Sequence, residues 1–284
     1  MSRRAAPRRS LRKLLAVLAG VGVLAILVAS LLPRANKSGT SNAPGQAPLQ
    51  LATAPRADGA PSNNFALLMD TNRVDFDHLP ASNVVAAVLA DPSMPEDDRI
   101  GFLVNKGNVY LASQRPADAL MLFDAALQQR PDDEDLHFNR GISLARLGRI
   151  EEAKKAYEAA LQLFPDYGEA HNNLGNLLAS QGNLAEAAQH FQAALKASPE
   201  NASAHNNLGS VLARQKQYEA ALEQFLLATR FQTNYVEAHF NVGGAYLELG
   251  RLDEAAAKFI EILQVHPDFR PAQIGLERVR KRRQ

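Results

Sequence analysis

Four histidines recur at a spacing of 34 residues, His137, His171, His205 and His239. Two positions after each stands an asparagine, Asn139, Asn173, Asn207 and Asn241, and Asn105 opens the same series. Histidine is the side chain to ask first about metal binding or proton transfer. Strict recurrence argues against a metal site. One histidine per structural unit separates neighbours by about the width of a packed helix pair, ~10 Å, whereas zinc ligands converge within ~2.1 Å of one ion. No metal is expected. The asparagines carry a different chemistry. Each amide offers two donors and an acceptor, so a column of amides can grip the backbone of an extended peptide whatever its sequence. Asparagine is a mediocre helix former, so its recurrence inside helices asks for a role beyond propensity.

Nothing in the chain reads as catalytic machinery. There is no cysteine, which excludes disulfides, thiolate metal sites and a cysteine nucleophile. No phosphate loop, nucleophile elbow, H-E-x-x-H helix or dinucleotide fingerprint is present. The acidic cluster Asp132-Asp133-Glu134-Asp135 reads as a helix N-terminus, where the dipole favours negative charge. The chain is therefore expected to be neither an enzyme nor a cofactor carrier.

The elements that must position these residues follow from the same period. Pro131, Pro165, Pro199 and Pro267 mark unit ends, with Thr233 in the vacant slot, and define units at 100–133, 134–167, 168–201, 202–235 and 236–269. The eighth position is always glycine (Gly107, Gly141, Gly175, Gly209, Gly243) and the twentieth always alanine (Ala119, Ala153, Ala187, Ala221, Ala255). The twenty-fourth is always aromatic: Phe123, Tyr157, Phe191, Phe225, Phe259. Small residues let two helices press together, an aromatic fills the space between units, and proline precedes a helix because it cannot sit inside one. Gly148, Gly182 and Gly250 suit the turn between paired helices, and Gln114 and Lys216 replace glycine there.

This pattern resembles the tetratricopeptide repeat over residues 100–269, with histidine where the family often has a bulky aromatic at position four. The resemblance implies an all-α, right-handed superhelical solenoid of five repeats. It also implies a concave groove lined by positions 2, 5, 6, 9, 12 and 13 of each first helix. Position six then supplies Asn105, Asn139, Asn173, Asn207 and Asn241. Asn172, Asn176, Asn206 and Ser210 are polar in the middle; Phe138, Ile142, Phe240 and Leu247 are apolar on either side. The column resembles the asparagine ladder in the repeat region of O-linked N-acetylglucosamine transferase, in the groove only. Positions two, five and six lack basic residues, and Arg146 and Arg214 at position thirteen are the groove cations, so a carboxylate clamp is not expected.

The flanks complete the domain reading. Residues 270–284 form a capping helix with a basic tail; 66–99 form an N-terminal helical cap, with a helix over Ser82–Ala90 and a turn-rich break over Asp91–Asp98. Residues 33–65, rich in Pro, Ala, Gly, Ser and Asn, read as a disordered linker reaching roughly 30 Å. Residues 14–32 are apolar and uncharged, a run of about 28 Å as a helix against a hydrocarbon core of ~30 Å. Basic residues 3–13 precede it, so the 1–13 segment stays cytoplasmic and the repeats cross. The run is either an uncleaved signal anchor or the core of a removed signal peptide.

Charge restricts the partners. The chain has 284 residues, 31 basic and 30 acidic; residues 1–40 hold eight of the bases and no acid, leaving a net of −7 for the rest. An acidic body repels phosphate backbones, so nucleic acid is not an expected partner. The expected function is a membrane-anchored scaffold in a cell-envelope complex of a bacterium, binding protein or peptide partners. The alternatives are a self-associating homo-oligomer and a non-catalytic substrate-holding subunit.

Overall fold

A computed structural model describes residues 79–284. The expected membrane helix at 14–32, the linker at 33–65 and the first part of the 66–99 segment lie outside the described residues. Within them every regular element is a helix, and none is long and apolar enough to cross a membrane. In chain order the helices are α1 (Ala81–Ala90), α2 (Glu96–Ala112), α3 (Pro116–Gln129), α4 (Glu134–Arg146), α5 (Ile150–Leu163) and α6 (Gly168–Ser180). They continue as α7 (Leu184–Ala197), α8 (Ala202–Arg214), α9 (Tyr218–Phe231), α10 (Val236–Glu248), α11 (Leu252–Val265) and α12 (Arg270–Arg283). Each repeat is a pair: an A helix (α2, α4, α6, α8, α10) packed most heavily on its own B helix (α3, α5, α7, α9, α11), then on its neighbours.

Four A helices start where the 34-residue count puts them. The first does not: α2 begins at Glu96, four residues before the expected unit. Pro95 sits immediately before it as the N-cap, extended at φ −55° and ψ 153°, and Glu96, Asp97 and Asp98 place three carboxylates in the first turn. The break is accordingly shorter than expected. Helix α1 buries Ala81, Val84 and Val88, one helical stripe, against α2 and α3.

The frame of each unit is a glycine pressed on an aromatic ring. A methyl group on Gly107 would come within 2.7 Å of Phe123, on Gly141 within 2.5 Å of Tyr157, and on Gly175 within 2.7 Å of Phe191. Gly209 and Gly243 stand in the same relation to Phe225 and Phe259, at 2.7 and 2.6 Å. The position-twenty alanines beside these contacts are fully buried.

The A-to-B turns share one closing hydrogen bond. The N–H of Arg115, Arg149, Asn183, Gln217 and Arg251 reaches back to the carbonyl five residues earlier, at 2.8 to 2.9 Å. That closure puts the residue before each donor in the left-handed region: Gly148, Gly182 and Gly250, but also Gln114 (φ 57°) and Lys216 (φ 63°). The two non-glycine turns carry a strain of about 1 kcal/mol each.

Candidate functional site

The recurrent histidines are occupied locally. Nε2 of His137 lies 2.7 Å from the carbonyl oxygen of Pro131, and Nε2 of His171, His205 and His239 lies 2.9 Å from those of Pro165, Pro199 and Thr233. A carbonyl only accepts, so Nε2 carries the hydrogen and the neutral ring presents a lone pair at Nδ1. Each ring ties the start of an A helix to the turn six residues before it. In α12 the position-four residue is Gln273, and its Nε2 donates to the Pro267 carbonyl at 2.8 Å. A planar side chain with an N–H at that reach makes this bond in units two to five and in α12; unit one has Leu103 there, fully buried.

In units three and four Nδ1 meets position 23 of the same unit, whereas Nδ1 of His239 has no hydrogen-bond partner. The Gln224 carboxamide sits 2.8 Å from Nδ1 of His205. In unit three the partner is His190, whose Nδ1 lies 2.9 Å from Nδ1 of His171. Only one hydrogen fits between two such nitrogens, and it belongs to His190, which donates to His171. Burial lowers the His190 pKa from its ordinary value, and the His171 ring and Lys154 push it the same way, against Glu186.

Adjacent A helices meet along a seam that pairs position five of one unit with position six of the next. Asn207 Nδ2 donates to Asn172 Oδ1 at 3.1 Å, and Asn241 Nδ2 to Asn206 Oδ1 at 2.9 Å. In unit two position five is Phe138, fully buried, with ring centroids 5.8 Å from Tyr157 and 4.9 Å from Tyr167. In unit five it is Phe240, 5.7 Å from Phe259. Farther along the seam, Arg214 Nη1 donates to the carbonyl of Ala179 at 2.6 Å, and Arg146 does the same for Leu111. Position thirteen thus caps the C-terminal end of the preceding A helix.

The structure therefore sorts the sequence-derived residues by depth. Asn105, Arg146 and Arg214 are exposed; Asn176, Asn241 and Phe240 are half-buried. Asn139, Asn173, Asn207, Asn172 and Asn206 lie at 0 to 3% exposure, a buried floor beneath the half-buried residues. Several floor atoms have no protein partner: Asn108 Oδ1, Asn139 Oδ1, Asn172 Nδ2, Asn176 Nδ2 and Asn207 Oδ1. Acceptors and donors both occur in this row. Asn108 was not singled out from the sequence, although it holds position nine, as Asn176 does.

Tyr167 is buried, and its hydroxyl donates to Asp135 Oδ1 at 2.5 Å. Burial first, and then the Asp135 carboxylate, raise its pKa far above the usual phenol range. The acids expected to start a helix do so, with Asp133 Oδ1 accepting the N–H of Leu136 at 3.0 Å.

Comparison with known proteins agrees with this geometry. The tetratricopeptide repeat family model matches residues 104–167, 138–202, 174–235 and 229–268. No curated protein matches the chain. Among solved structures, MamA residues 41 to the end from Desulfovibrio magneticus RS-1 is similar with TM-score 0.55 and 22% identity, covering 61% of this chain and 97% of that one. YrrB, described as a TPR protein with an unusual peptide-binding site, gives TM-score 0.55 at 21% identity, over 69% of this chain and 99% of that one. A thermophilic TPR protein of Thermus thermophilus, TTC0263, gives 0.51 at 22%, over 63% and 98%. These likenesses establish the fold.

Proposed function

The chain belongs to the tetratricopeptide-repeat family, a family of protein-interaction scaffolds, and from that premise we propose that its A-helix groove holds an extended segment of a partner protein. The observation that carries the reading is the pair of half-buried amides at position nine, Asn108 and Asn176, whose Oδ1 and Nδ2 have no protein partner. A buried polar atom left unmade costs about 1–3 kcal/mol, so native structures satisfy nearly all of them. An extended peptide offers alternating N–H and C=O groups, which suits a row containing both acceptors and donors. Asn108 and Asn176 are polar and Phe240, also half-buried, is apolar, so a segment with small or polar central residues and an apolar residue over Phe240 fits the row.

In this reading the apolar run at 14–32 is a signal anchor, the basic residues before it stay in the cytoplasm, and the linker displays the repeats outside the membrane of a bacterial cell. Protease added to spheroplasts should then degrade the repeats while sparing the N-terminus.

The groove is tested with Asn108→Ala, Asn139→Ala and Asn176→Ala combined, since none of these three takes part in the amide pairs between A helices. The full-length variant should keep its helical circular dichroism and lose specific partners in pull-downs from membranes. Retention of every partner would place binding on another surface.

A further inference from the structure

Helix α12 looks from the sequence like a plain cap, but its contacts put it in register as a sixth A helix. Gln273 makes the position-four bond to the preceding turn. Gly275, at position six, faces Phe259 so closely that a methyl group there would lie 2.7 Å from the ring, which is thereby held between Gly243 and Gly275. Arg282, at position thirteen, donates to the Leu247 carbonyl at 2.5 Å, as Arg214 does to Ala179 one pair of units earlier. Three independent contacts thus fix the register.

That register extends the groove onto α12 and changes its charge. Position five becomes Ile274, 48% exposed because no further unit covers it. Position nine runs Asn108, Ile142, Asn176, Ser210, Gly244 and then Arg278. Position twelve runs Leu111, Ala145, Ala179, Ala213, Leu247 and then Lys281. Positions two, five, nine and twelve share one helical stripe, so both cations lie on the continued groove. Arg282 and Arg283 are already engaged, with Glu248 and Asp253. Arg278 and Lys281 form no ion pair with any described residue, and both are exposed. Glu277 and Arg280 hold positions eight and eleven, which in full units face the B helix, so they belong to the end face. A helix dipole welcomes cations near its C-terminus, yet it does not select the groove stripe.

We propose that the cap end of the groove binds acidic side chains, so that the groove's occupant is an extended polypeptide with Asp or Glu residues at the end lying over α12. The inference rests on the peptide-binding reading and adds a charge and a polarity to it. Arg278 can take a carboxylate through its planar fork, and Lys281 adds a second positive charge beside it. Glu169, at position two of unit three on the same stripe, disfavours acidic residues in the middle of the segment.

The test is selection from a random peptide display library with the full chain in nanodiscs of phosphatidylcholine alone, wild type against Arg278→Gln/Lys281→Gln. The wild type should enrich peptides whose acidic residues cluster at one end. The variant, with Arg282 and Arg283 intact, should bind such a peptide roughly tenfold more weakly, yet bind its Asn/Gln-substituted version unchanged. An acidic bias that survives in the variant overturns the proposal. So does a variant whose only defect is weaker docking of the repeats onto phosphatidylglycerol-containing nanodiscs, because the cations would then serve lipid. Peptides enriched without acidic bias overturn the charge assignment and leave the peptide groove standing; no enrichment by either protein overturns both.

Discussion

Units three and four meet through carboxamides; units two and five offer aromatic rings at the same place. The position-five residue is Asn172 or Asn206 in the middle, bonded to Asn207 and Asn241, and Phe138 or Phe240 on either side, packed among Tyr157, Tyr167, Phe259 and Phe269. Opposite chemistries share one backbone register. The glycine-on-aromatic contact, present in every unit at 2.5 to 2.7 Å, sets the geometry, and position five is left to decide what the groove floor is made of. The chemistry at position five can therefore change from unit to unit without disturbing the stack.

The sharpest way to break that comparison is to truncate the floor at both kinds of seam. Phe138→Ala should destabilise its surroundings by about 3–5 kcal/mol, the range for a large buried aromatic. The loss should appear as faster amide hydrogen exchange in α4 and α5 before α10 is affected, because each repeat leans only on its neighbours. Uniform acceleration along the array would mean that the units unfold as one and the seams are not separate.

At the polar seam the effect is smaller and has a partner. Asn172→Ala removes the acceptor of Asn207 Nδ2 and should weaken the α6–α8 contact by about 1–2 kcal/mol. Asn207→Ala should cost a similar amount, and the double variant less than the sum, with a coupling on the order of 1 kcal/mol. Strict additivity would show that the 3.1 Å contact contributes nothing to joining the two helices.

The sequence disclosed the frame because the frame is built from residue types that geometry forces. Gly107 to Gly243 have no room for a side chain, and the aromatics beneath them have no substitute of equal volume, so both recur visibly. The seams are illegible for a different reason. Asn207 and Asn172 are 35 positions apart, and nothing in either residue says whether an amide will face its neighbour or a ligand. His137 and its equivalents are readable as structural from their spacing, but their partner is a backbone carbonyl, which every residue has. Unit one begins early because Pro95 and three acids outweigh the period locally. Gln273 and Arg282 identify α12 as an A helix only once their carbonyl partners are known.

The smallest effect separates two neighbouring units. In unit four, Nδ1 of His205 meets the Gln224 carboxamide; in unit three, Nδ1 of His171 meets His190. A carboxamide does not titrate, whereas His190 does, and burial holds its folded pKa below the ordinary value of about 6.5. The unfolded chain therefore binds the proton more readily than the folded one. Stability contributed by neutral His190 is present above that ordinary value and is lost as pH falls through it toward the folded pKa. Lys154, itself cationic, adds to the penalty, and Glu186 relieves part of it. His190→Gln gives unit three the arrangement of unit four and should remove this slope. Between about pH 7.5 and about pH 5.5, hydrogen-exchange protection of α6 and α7 should fall in the wild type more than in the variant, while α8 and α9 respond alike in both. Equal slopes in α6 and α7 would mean that solvent screens His190 as well as it screens a surface imidazole, and the two units would differ in composition only.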